Sequence, residues 1–151
     1  MKRSWQALAL LALSAALAAC ARPAATPTPT PKPMPTPIFV PVTTIQDLLG
    51  TTWHAEGNDG MYQRFTEDGT MITAVSLESL SKGGDAVCSA RFEGDQLILT
   101  EISSAGLPSC GTVVGKYQVR RLPSGDILFV ASGDSCAPRR RSTAQVHKAV
   151  K

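Results

Sequence analysis

From residue 44 onward, apolar and polar positions alternate in short runs that turn residues interrupt about every ten positions, as in antiparallel sheets. Tyr117 and Val119, for example, alternate with Lys116, Gln118 and Arg120, as expected for a strand with one face in water. The pattern predicts eight strands, over residues 53–56, 61–65, 70–75, 86–92, 96–102, 114–122, 126–132 and 142–147.

Turn-forming residues join these strands in sequence order. Asp68-Gly69 is a strong hairpin signal, and residues 93–95 and 123–125 separate two further pairs of strands. Short helices are predicted over residues 44–50 and 76–82, each followed or closed by glycine. Sequential hairpins imply an up-and-down meander, and this many strands can close into a barrel without exposed edges. The sequence therefore predicts an all-β fold, an eight-stranded antiparallel barrel with a short N-terminal helix.

The first twenty residues follow a different pattern. Lys2 and Arg3 precede an apolar run that is typical of a secretory signal peptide and too short for a permanent transmembrane helix. The run ends in Leu17-Ala18-Ala19-Cys20, which resembles the bacterial lipobox. The resemblance implies cleavage after Ala19 and lipidation of Cys20, for example with palmitate, on the outer side of the cytoplasmic membrane or at the cell surface. A plain signal peptide with a chance cysteine is the alternative.

Residues 20–43 are rich in proline and threonine and contain no acidic residue. Eight of the eleven prolines lie here, and because proline fixes φ and lacks an N–H, we expect neither helix nor strand pairing. The predicted organisation is a signal peptide (1–19), a lipidated cysteine with a disordered linker (20–43) and a barrel domain (44–151). A proline-rich ligand for an extracellular partner is the alternative interpretation of the linker.

The net charge of the chain does not belong to the predicted domain. The chain has 15 Lys and Arg, and Lys2, Arg3, Arg22 and Lys32 precede residue 44, which leaves 11 against all 12 acidic residues. The domain is therefore close to neutral, and the formal charge of +3 arises from the segments before it. This balance does not favour nucleic acid as a partner.

Three cysteines, Cys88, Cys110 and Cys136, lie in the predicted domain. If the strands on either side of the turn at 122–126 pair in register, Cys136 lies two residues from a position opposite Cys110. The register therefore predicts a Cys110–Cys136 disulfide, which an oxidising compartment permits. Cys88 would then be unpaired in mid-strand, where a small buried apolar role is the simplest interpretation and a redox or metal role the alternative.

Several segments resemble the small lipocalin-like, calycin-type domains of bacterial lipoproteins. These segments are Leu48-Leu49-Gly50-Thr51-Thr52-Trp53, Tyr62-Gln63-Arg64-Phe65-Thr66-Glu67-Asp68-Gly69-Thr70, Glu93-Gly94-Asp95-Gln96-Leu97 and Gly115-Lys116-Tyr117-Gln118-Val119. Lipocalins carry Gly-x-Trp after a short helix, with an arginine from a late strand stacked on the Trp. The resemblance implies this role for Trp53, with Arg139, Arg140 or Arg141 as the stacking cation. The pattern departs from the family in one respect, since two residues separate Gly50 from Trp53.

No recognisable catalytic or metal-binding pattern is present in the sequence. His54 and His147 fall on the first and last predicted strands without a ligand-spaced partner. Asp134-Ser135-Cys136 and the arginine run 139–141 are interpreted as a solvated turn and a solvated basic flank. We therefore expect no catalytic, cofactor-binding or metal-binding residues. The alternative is a cluster that only the fold assembles and that the sequence does not reveal.

The expected function is a non-enzymatic binding domain displayed on a bacterial surface, with a small apolar ligand in the barrel or a protein at its rim. The alternative is a filled barrel that serves as a structural, protein-interaction or inhibitor module. Because an eight-stranded barrel encloses either packed side chains or one small ligand, its interior volume distinguishes the two hypotheses.

Overall fold

A computed structural model of the chain describes residues 38–57 and 60–150. The predicted signal peptide, Cys20 and most of the predicted linker lie outside these residues. The described residues form nine strands: β1 (Val40–Val42), β2 (Thr52–Ala55), β3 (Tyr62–Phe65), β4 (Thr70–Ala74), β5 (Ala86–Glu93), β6 (Gln96–Ser104), β7 (Val114–Arg121), β8 (Ile127–Gly133) and β9 (Val146–Ala149). They also form a 3-10 helix (Ile45–Leu48) and two α-helices, α1 (Leu77–Ser81) and α2 (Ala137–Thr143). None of these helices is long and apolar enough to cross a membrane.

Strands β2 to β9 close into a barrel. Each strand pairs antiparallel with the next one in sequence, and β9 pairs back onto β2, where Ala55 lies opposite His147. The additional strand β1 lies beside the last three residues of β7, while β6 pairs with the first part of β7. The predicted eight-stranded antiparallel up-and-down barrel is therefore confirmed, with β1 as one extra strand.

The two ends of the barrel differ in their connections. We call the end with the tight turns at 66–69, 94–95 and 122–126 the closed end. Here Gly69 has a φ of +77°, a conformation that glycine adopts without steric cost, and its N–H donates to the Thr66 carbonyl at 3.1 Å. We call the other end the open end, because it carries the longer connections at 56–61, 75–85, 105–113 and 134–145, including α1 and α2.

Large side chains fill the middle of the barrel. Trp53, Phe65, Tyr117 and Phe129 point inward from four strands and are buried together with the imidazole of His147. The rings of Phe65 and Phe129 are 6.2 Å apart, and Phe129 meets His147 edge-on at 5.0 Å. Side chains of a strand alternate between the two faces of the sheet. The neighbours of each inward side chain along its strand therefore face the outside of the barrel.

Strand β1 lies within residues that the sequence analysis assigned to the linker. It runs antiparallel to β7, with Val40 opposite Arg121 and Val42 opposite Val119. The expectation that proline prevents strand pairing was wrong here, because valines flank Pro41 and an edge strand tolerates a residue without an N–H. Val42 is 3% exposed and packs in the core, so the barrel uses a side chain from the predicted linker.

The C-terminal strand also differs from the prediction. The sequence predicts a strand over 142–147, whereas α2 occupies Ala137–Thr143 and β9 begins at Val146. Pro138 lies in the first turn of α2, where its missing N–H costs no intrahelical hydrogen bond. A proline in the first turn and arginines in the last turn are typical of a short helix, and the sequence analysis did not use this signal.

The predicted disulfide between Cys110 and Cys136 is present, with Cα atoms 5.6 Å apart. Strands β7 and β8 pair with Val119 opposite Phe129, which is the register inferred from the turn. The bridge connects the loop before β7 to the residue that precedes α2. Cys88 is buried and has no disulfide partner in the described part of the chain, also as predicted.

The cation near the Trp53 ring is Arg121 rather than an arginine of the run 139–141. The Arg121 Cζ lies 6.0 Å from the ring centroid, and its Nη2 donates to the Asp47 carbonyl at 2.7 Å. The indole Nε1 of Trp53 donates to the Leu48 carbonyl at 3.3 Å. The predicted arginine was wrong because residues 139–141 belong to α2 at the open end, whereas Arg121 ends β7 at the closed end.

Candidate functional site

The open end of the barrel contains a pocket of about 260 Å³, which we call the mouth pocket. Its apolar lining consists of Met61, Met71, Ala86, Leu107, Pro108 and Pro138. Its remaining lining consists of Thr73, Cys88, Glu101, Cys110, Arg139, Arg141, Ser142 and Thr143. Because Met71 and Cys88 also belong to the core, the packed interior forms the floor of the pocket.

Arg139 lines the mouth pocket and forms a buried ion pair with Asp134, which lies outside the lining. The Arg139 Nε donates to Asp134 Oδ2 at 2.7 Å, and Nη2 donates to Oδ1 at 3.0 Å, so the contact is bidentate. The Tyr117 hydroxyl, from inside β7, also donates to Oδ2. Both charged side chains are almost fully shielded, with 5% of the Arg139 side chain and none of the Asp134 side chain exposed. The bidentate geometry and the tyrosine offset part of the cost of burying both charges.

The local chain geometry explains why this pair can lie inside the barrel rim. Asp134 directly follows β8, and its Oδ1 accepts the Cys136 backbone N–H at 2.8 Å, just before α2 begins. Arg139 lies in the first turns of α2, and its Nη2 also donates to the Val113 carbonyl at 2.8 Å. The disulfide fixes both of these backbone segments, since it connects the residue at the start of α2 to the loop before β7. The expectation of a solvated turn and a solvated basic flank was therefore wrong for Asp134 and Arg139.

Gly115 makes room for the ion pair. A Cβ at this position of β7 would lie 2.6 Å from Asp134 Oδ2 and 2.9 Å from Arg139 Nε. We expect Gly115→Ala to lower the free energy of unfolding by about 1–3 kcal/mol, because the side chain overpacks a rigid contact. Gly133→Ala is the matched control, since its Cβ would meet only the Lys116 side chain at 3.7 Å or more. Urea denaturation compares the two variants, and equal stability would contradict the role given to Gly115.

The charges of the cluster follow from its hydrogen bonds. Burial raises the pKa of Asp134, but hydrogen bonds from Arg139 and Tyr117 outweigh it and hold that pKa below the ordinary value. Burial and the hydrogen bond to Asp134 raise the pKa of Tyr117. At neutral pH the cluster therefore contains one carboxylate, one guanidinium and a neutral phenol, and its net charge is zero.

Glu101, on β6, also lines the mouth pocket. Its carboxylate accepts the Ser109 hydroxyl and the Cys110 backbone N–H, the second at 2.5 Å, and so fixes the loop that carries Cys110. Burial raises the pKa of Glu101, but these hydrogen bonds outweigh it and lower that pKa below its usual range. Glu101 is therefore ionised at neutral pH and adds a negative charge to the pocket.

Cys88, on β5, is paired with Glu101 on the neighbouring strand β6, and the residue is 6% exposed. Burial raises the pKa of its thiol, although the nearby guanidinium of Arg139 opposes this effect. A thiol with a raised pKa carries little thiolate at neutral pH, and the thiolate is the reactive form. Cys88 therefore contributes to the pocket as a weakly polar, unreactive surface.

Polar groups also lie beneath the pocket. The Gln63 Nε2 donates to the Thr143 hydroxyl at 3.2 Å, and the His147 Nε2 donates to the Thr143 carbonyl at 3.1 Å. Within the described residues, Gln63 Oε1 and His147 Nδ1 are buried without a hydrogen-bond partner, and so is Arg139 Nη1. Such unpaired buried groups are uncommon in folded proteins.

His147 makes stability depend on pH. Burial lowers the pKa of His147 from 6.5 to about 4, although the Thr143 carbonyl opposes this effect. The unfolded chain therefore binds a proton between pH 6.5 and 4 that the folded barrel does not, and stability falls as the pH falls through this window. The full effect is about 3 kcal/mol, since each tenfold loss of proton affinity corresponds to about 1.4 kcal/mol.

We expect His147→Gln to remove this loss of stability toward acid, while His54→Gln keeps it. His54 lies on the outer face of β2, where it pairs with Lys148 and packs its ring 4.5 Å from that of Tyr62. Urea denaturation at pH 7, 5.5 and 4 measures both variants. An equal loss of stability toward acid in the parent and in His147→Gln would contradict the assignment.

The structure brings together residues that the sequence analysis did not select. His54 and His147 lie on neighbouring strands but face opposite sides of the sheet, because Ala55 and not His54 pairs with His147. Among the described residues, no cluster of three His, Cys, Asp or Glu side chains is arranged to hold a metal ion. The missed signal is the spacing of Asp134 and Arg139, because the start of α2 at Ala137 brings these two side chains together.

In comparisons with known proteins, the chain matches no family model, no curated protein and no solved structure. The closed antiparallel barrel with a 3-10 helix before β2 is consistent with a lipocalin-like fold. We therefore infer the function from the geometry of the mouth pocket.

Proposed function

We propose that the chain is a bacterial lipoprotein anchored through Cys20, and that its barrel is a lipocalin-like, non-enzymatic domain that binds a small, largely apolar ligand in the mouth pocket. The lipobox-like Leu17-Ala18-Ala19-Cys20 after an apolar run supports the anchor. The helix-then-tryptophan order, with Arg121 above Trp53, supports the lipocalin-like assignment. In this proposal the lipid anchors the domain outside the cytoplasmic membrane or at the cell surface.

The position of the mouth pocket carries the ligand proposal. The pocket opens above a packed core, and its volume of about 260 Å³ is close to the lower limit of about 300 Å³ for typical ligand sites. Six apolar side chains line it beside a few fixed polar groups, which is the usual composition of a binding site. The proposed ligand is therefore small and sits at the open end, because Phe65, Tyr117 and Phe129 fill the barrel below.

The polar groups of the pocket favour binding over catalysis. Arg139 is engaged by Asp134, and Glu101 by Ser109 and Cys110. Burial keeps the Cys88 thiol protonated. A general base or nucleophile needs a free, suitably ionised group, and each of these side chains is either occupied or in the unreactive form.

A neutral apolar dye tests the ligand proposal. N-phenyl-1-naphthylamine is expected to gain fluorescence when it binds the purified domain. Ala86→Phe, which fills the pocket from β5, is expected to abolish the signal. Arg91→Phe adds the same ring to the exposed outer face of β5 and is the control. Equal binding by both variants, or no binding by the parent domain, would refute the proposal.

Membrane fractionation tests the anchor. The parent chain is expected in the detergent phase and to incorporate an alkyne-labelled fatty acid during growth, because acylation requires the Cys20 thiol. Cys20→Ser is expected to lose the label and to leave the detergent phase, while Cys88→Ser keeps both properties. Retention of the label in Cys20→Ser would show that the anchor lies elsewhere.

Protein binding at the open end is a second candidate function. Four large apolar side chains are exposed there, and a filled barrel needs no small ligand to be stable. They are Val75, Leu77, Ile102 and Val114. A photo-crosslinking residue at Leu77 is expected to capture a partner in the host envelope, whereas the same residue at Glu93, beside the closed-end turn, is not. Equal capture at both positions, or none at Leu77, would remove this candidate.

A further inference from the structure

The charges around the mouth pocket are already balanced before any ligand enters. The guanidinium of Arg139 is bound by the carboxylate of Asp134 through two hydrogen bonds, at 2.7 and 3.0 Å. Glu101 places a half-buried, ionised carboxylate in the lining itself. Arg141 adds a second cation, but its side chain is exposed and screened by water. The buried part of the pocket therefore carries no positive charge that is free to attract an anion.

The same part of the pocket retains hydrogen-bonding capacity. Arg139 is 6% exposed and lines the pocket, and its Nη1 donates to no described group. The Gln63 amide lies beneath the pocket, between its strand neighbour Thr73 and its hydrogen-bond partner Thr143, which both line the pocket. Its Oε1 accepts no hydrogen bond from any residue that the structure describes. The wall of this mainly apolar space thus contains a side chain with one unpaired donor, and an unpaired acceptor is buried beneath the space.

We propose that the mouth pocket selects an uncharged amphiphile with a carbonyl head group, such as a primary or secondary amide on a short alkyl chain, over the corresponding carboxylate. This inference rests on the proposed ligand-binding function. The carbonyl oxygen accepts from Arg139, and the alkyl chain packs against the apolar lining. A carboxylate adds a charge that Asp134 and Glu101 repel, and it gains no unpaired cation in return.

Desolvation on binding costs a charged head group more than a neutral one. A carboxylate that leaves water loses strong solvation and needs a compensating positive charge, whereas an amide needs only hydrogen-bond partners. The charge of Arg139 is already neutralised by Asp134, so Arg139 offers a hydrogen-bond donor but little net electrostatic attraction for an anion. This difference favours the amide.

Competition against N-phenyl-1-naphthylamine tests the inference with a matched pair of ligands. Octanamide and octanoate share the same alkyl chain and differ in head-group charge at pH 8. We expect octanamide to displace the dye at a concentration about tenfold lower than octanoate, which corresponds to about 1.4 kcal/mol. Octanol, which is neutral but lacks a carbonyl, is expected to be weaker than octanamide.

Glu101→Gln supplies the charge control. The glutamine oxygen can replace Oε2, which accepts the Cys110 N–H, and the glutamine NH2 can donate to the Ser109 hydroxyl, which donates to Oε1 in the parent. The substitution therefore removes the negative charge and keeps a hydrogen bond to each partner. The preference for octanamide is expected to shrink to about threefold, through stronger binding of octanoate. Circular dichroism and the retained Cys110–Cys136 disulfide verify that the variant folds.

The outcomes separate the inference from the function on which it rests. If the dye does not bind the parent domain, the proposed ligand-binding function is wrong. If the dye binds and octanoate competes as well as octanamide, or neither competes, the proposed function stands and the inference is wrong. An unchanged preference in Glu101→Gln would also contradict the charge argument.

Discussion

Replacing Arg139 by methionine is expected to lower the free energy of unfolding by about 3–5 kcal/mol, because the Asp134 carboxylate would remain buried without its cation. None of the Asp134 side chain is exposed, so water cannot replace the guanidinium without a local rearrangement. The Arg139 Nη2 also satisfies the Val113 carbonyl, and that acceptor would lose its partner. Urea denaturation at pH 7 measures the loss.

Two variants make this prediction specific. Arg141→Met removes an exposed arginine from the same helix and is expected to change stability by no more than about 0.5 kcal/mol. Asp134→Asn combined with Arg139→Met removes both charges and is expected to recover part of the loss, since no isolated charge remains. If Arg139→Met and Arg141→Met are equally stable, the ion pair does not organise the open end as described.

Reducing the Cys110–Cys136 disulfide is expected to cost about 3–4 kcal/mol, on the chain-entropy model for a bridge that closes a loop of this length. The two cysteines are 26 positions apart in sequence. The loop they close contains β7 and β8, so the reduced unfolded chain gains conformational freedom along both strands. The bridge also connects Cys110, in the pocket wall, to the start of α2, and dye binding is expected to weaken with reduction.

The matched measurement compares two cysteine variants with and without reductant. Cys110→Ser with Cys136→Ser is expected to be destabilised and insensitive to reductant. Cys88→Ala retains the bridge, so it is expected to lose the stability of the bridge only when reductant is added, beyond a constant loss from its truncated core side chain. Sensitivity of the double variant to reductant would show that another sulfur pair contributes.

The strands and their order were predictable because local signals specify them. Asp68-Gly69 occupies a tight turn, and the turn at 122–126 sets the register that places Cys110 near Cys136. Two residues in a left-handed or turn conformation are enough to fix which strand positions face each other. Once the register is known, a cysteine pair within reach follows from geometry alone.

The mouth pocket was not predictable from the same signals. Arg139 and Asp134 are residue types that almost always lie in water, and only the fold of α2 over the barrel rim brings them together with Tyr117. The arginine near Trp53 was not predictable for a similar reason. Arg121 and the run 139–141 lie at different ends of the barrel, and the sequence alone does not show which end each segment reaches. Val42 entered the core although proline dominates its segment, because its burial depends on β7 and not on its neighbours in sequence.

Native mass spectrometry of the domain isolated from its host envelope tests the binding proposal most directly. We expect a co-purifying, uncharged small molecule that is bound one to one in the parent and in Arg91→Phe. We expect this molecule to be absent from Ala86→Phe, in which the new side chain fills the pocket. A parent domain without any bound molecule, whose mass spectrum is also unchanged after incubation with a host lipid extract, would contradict the account.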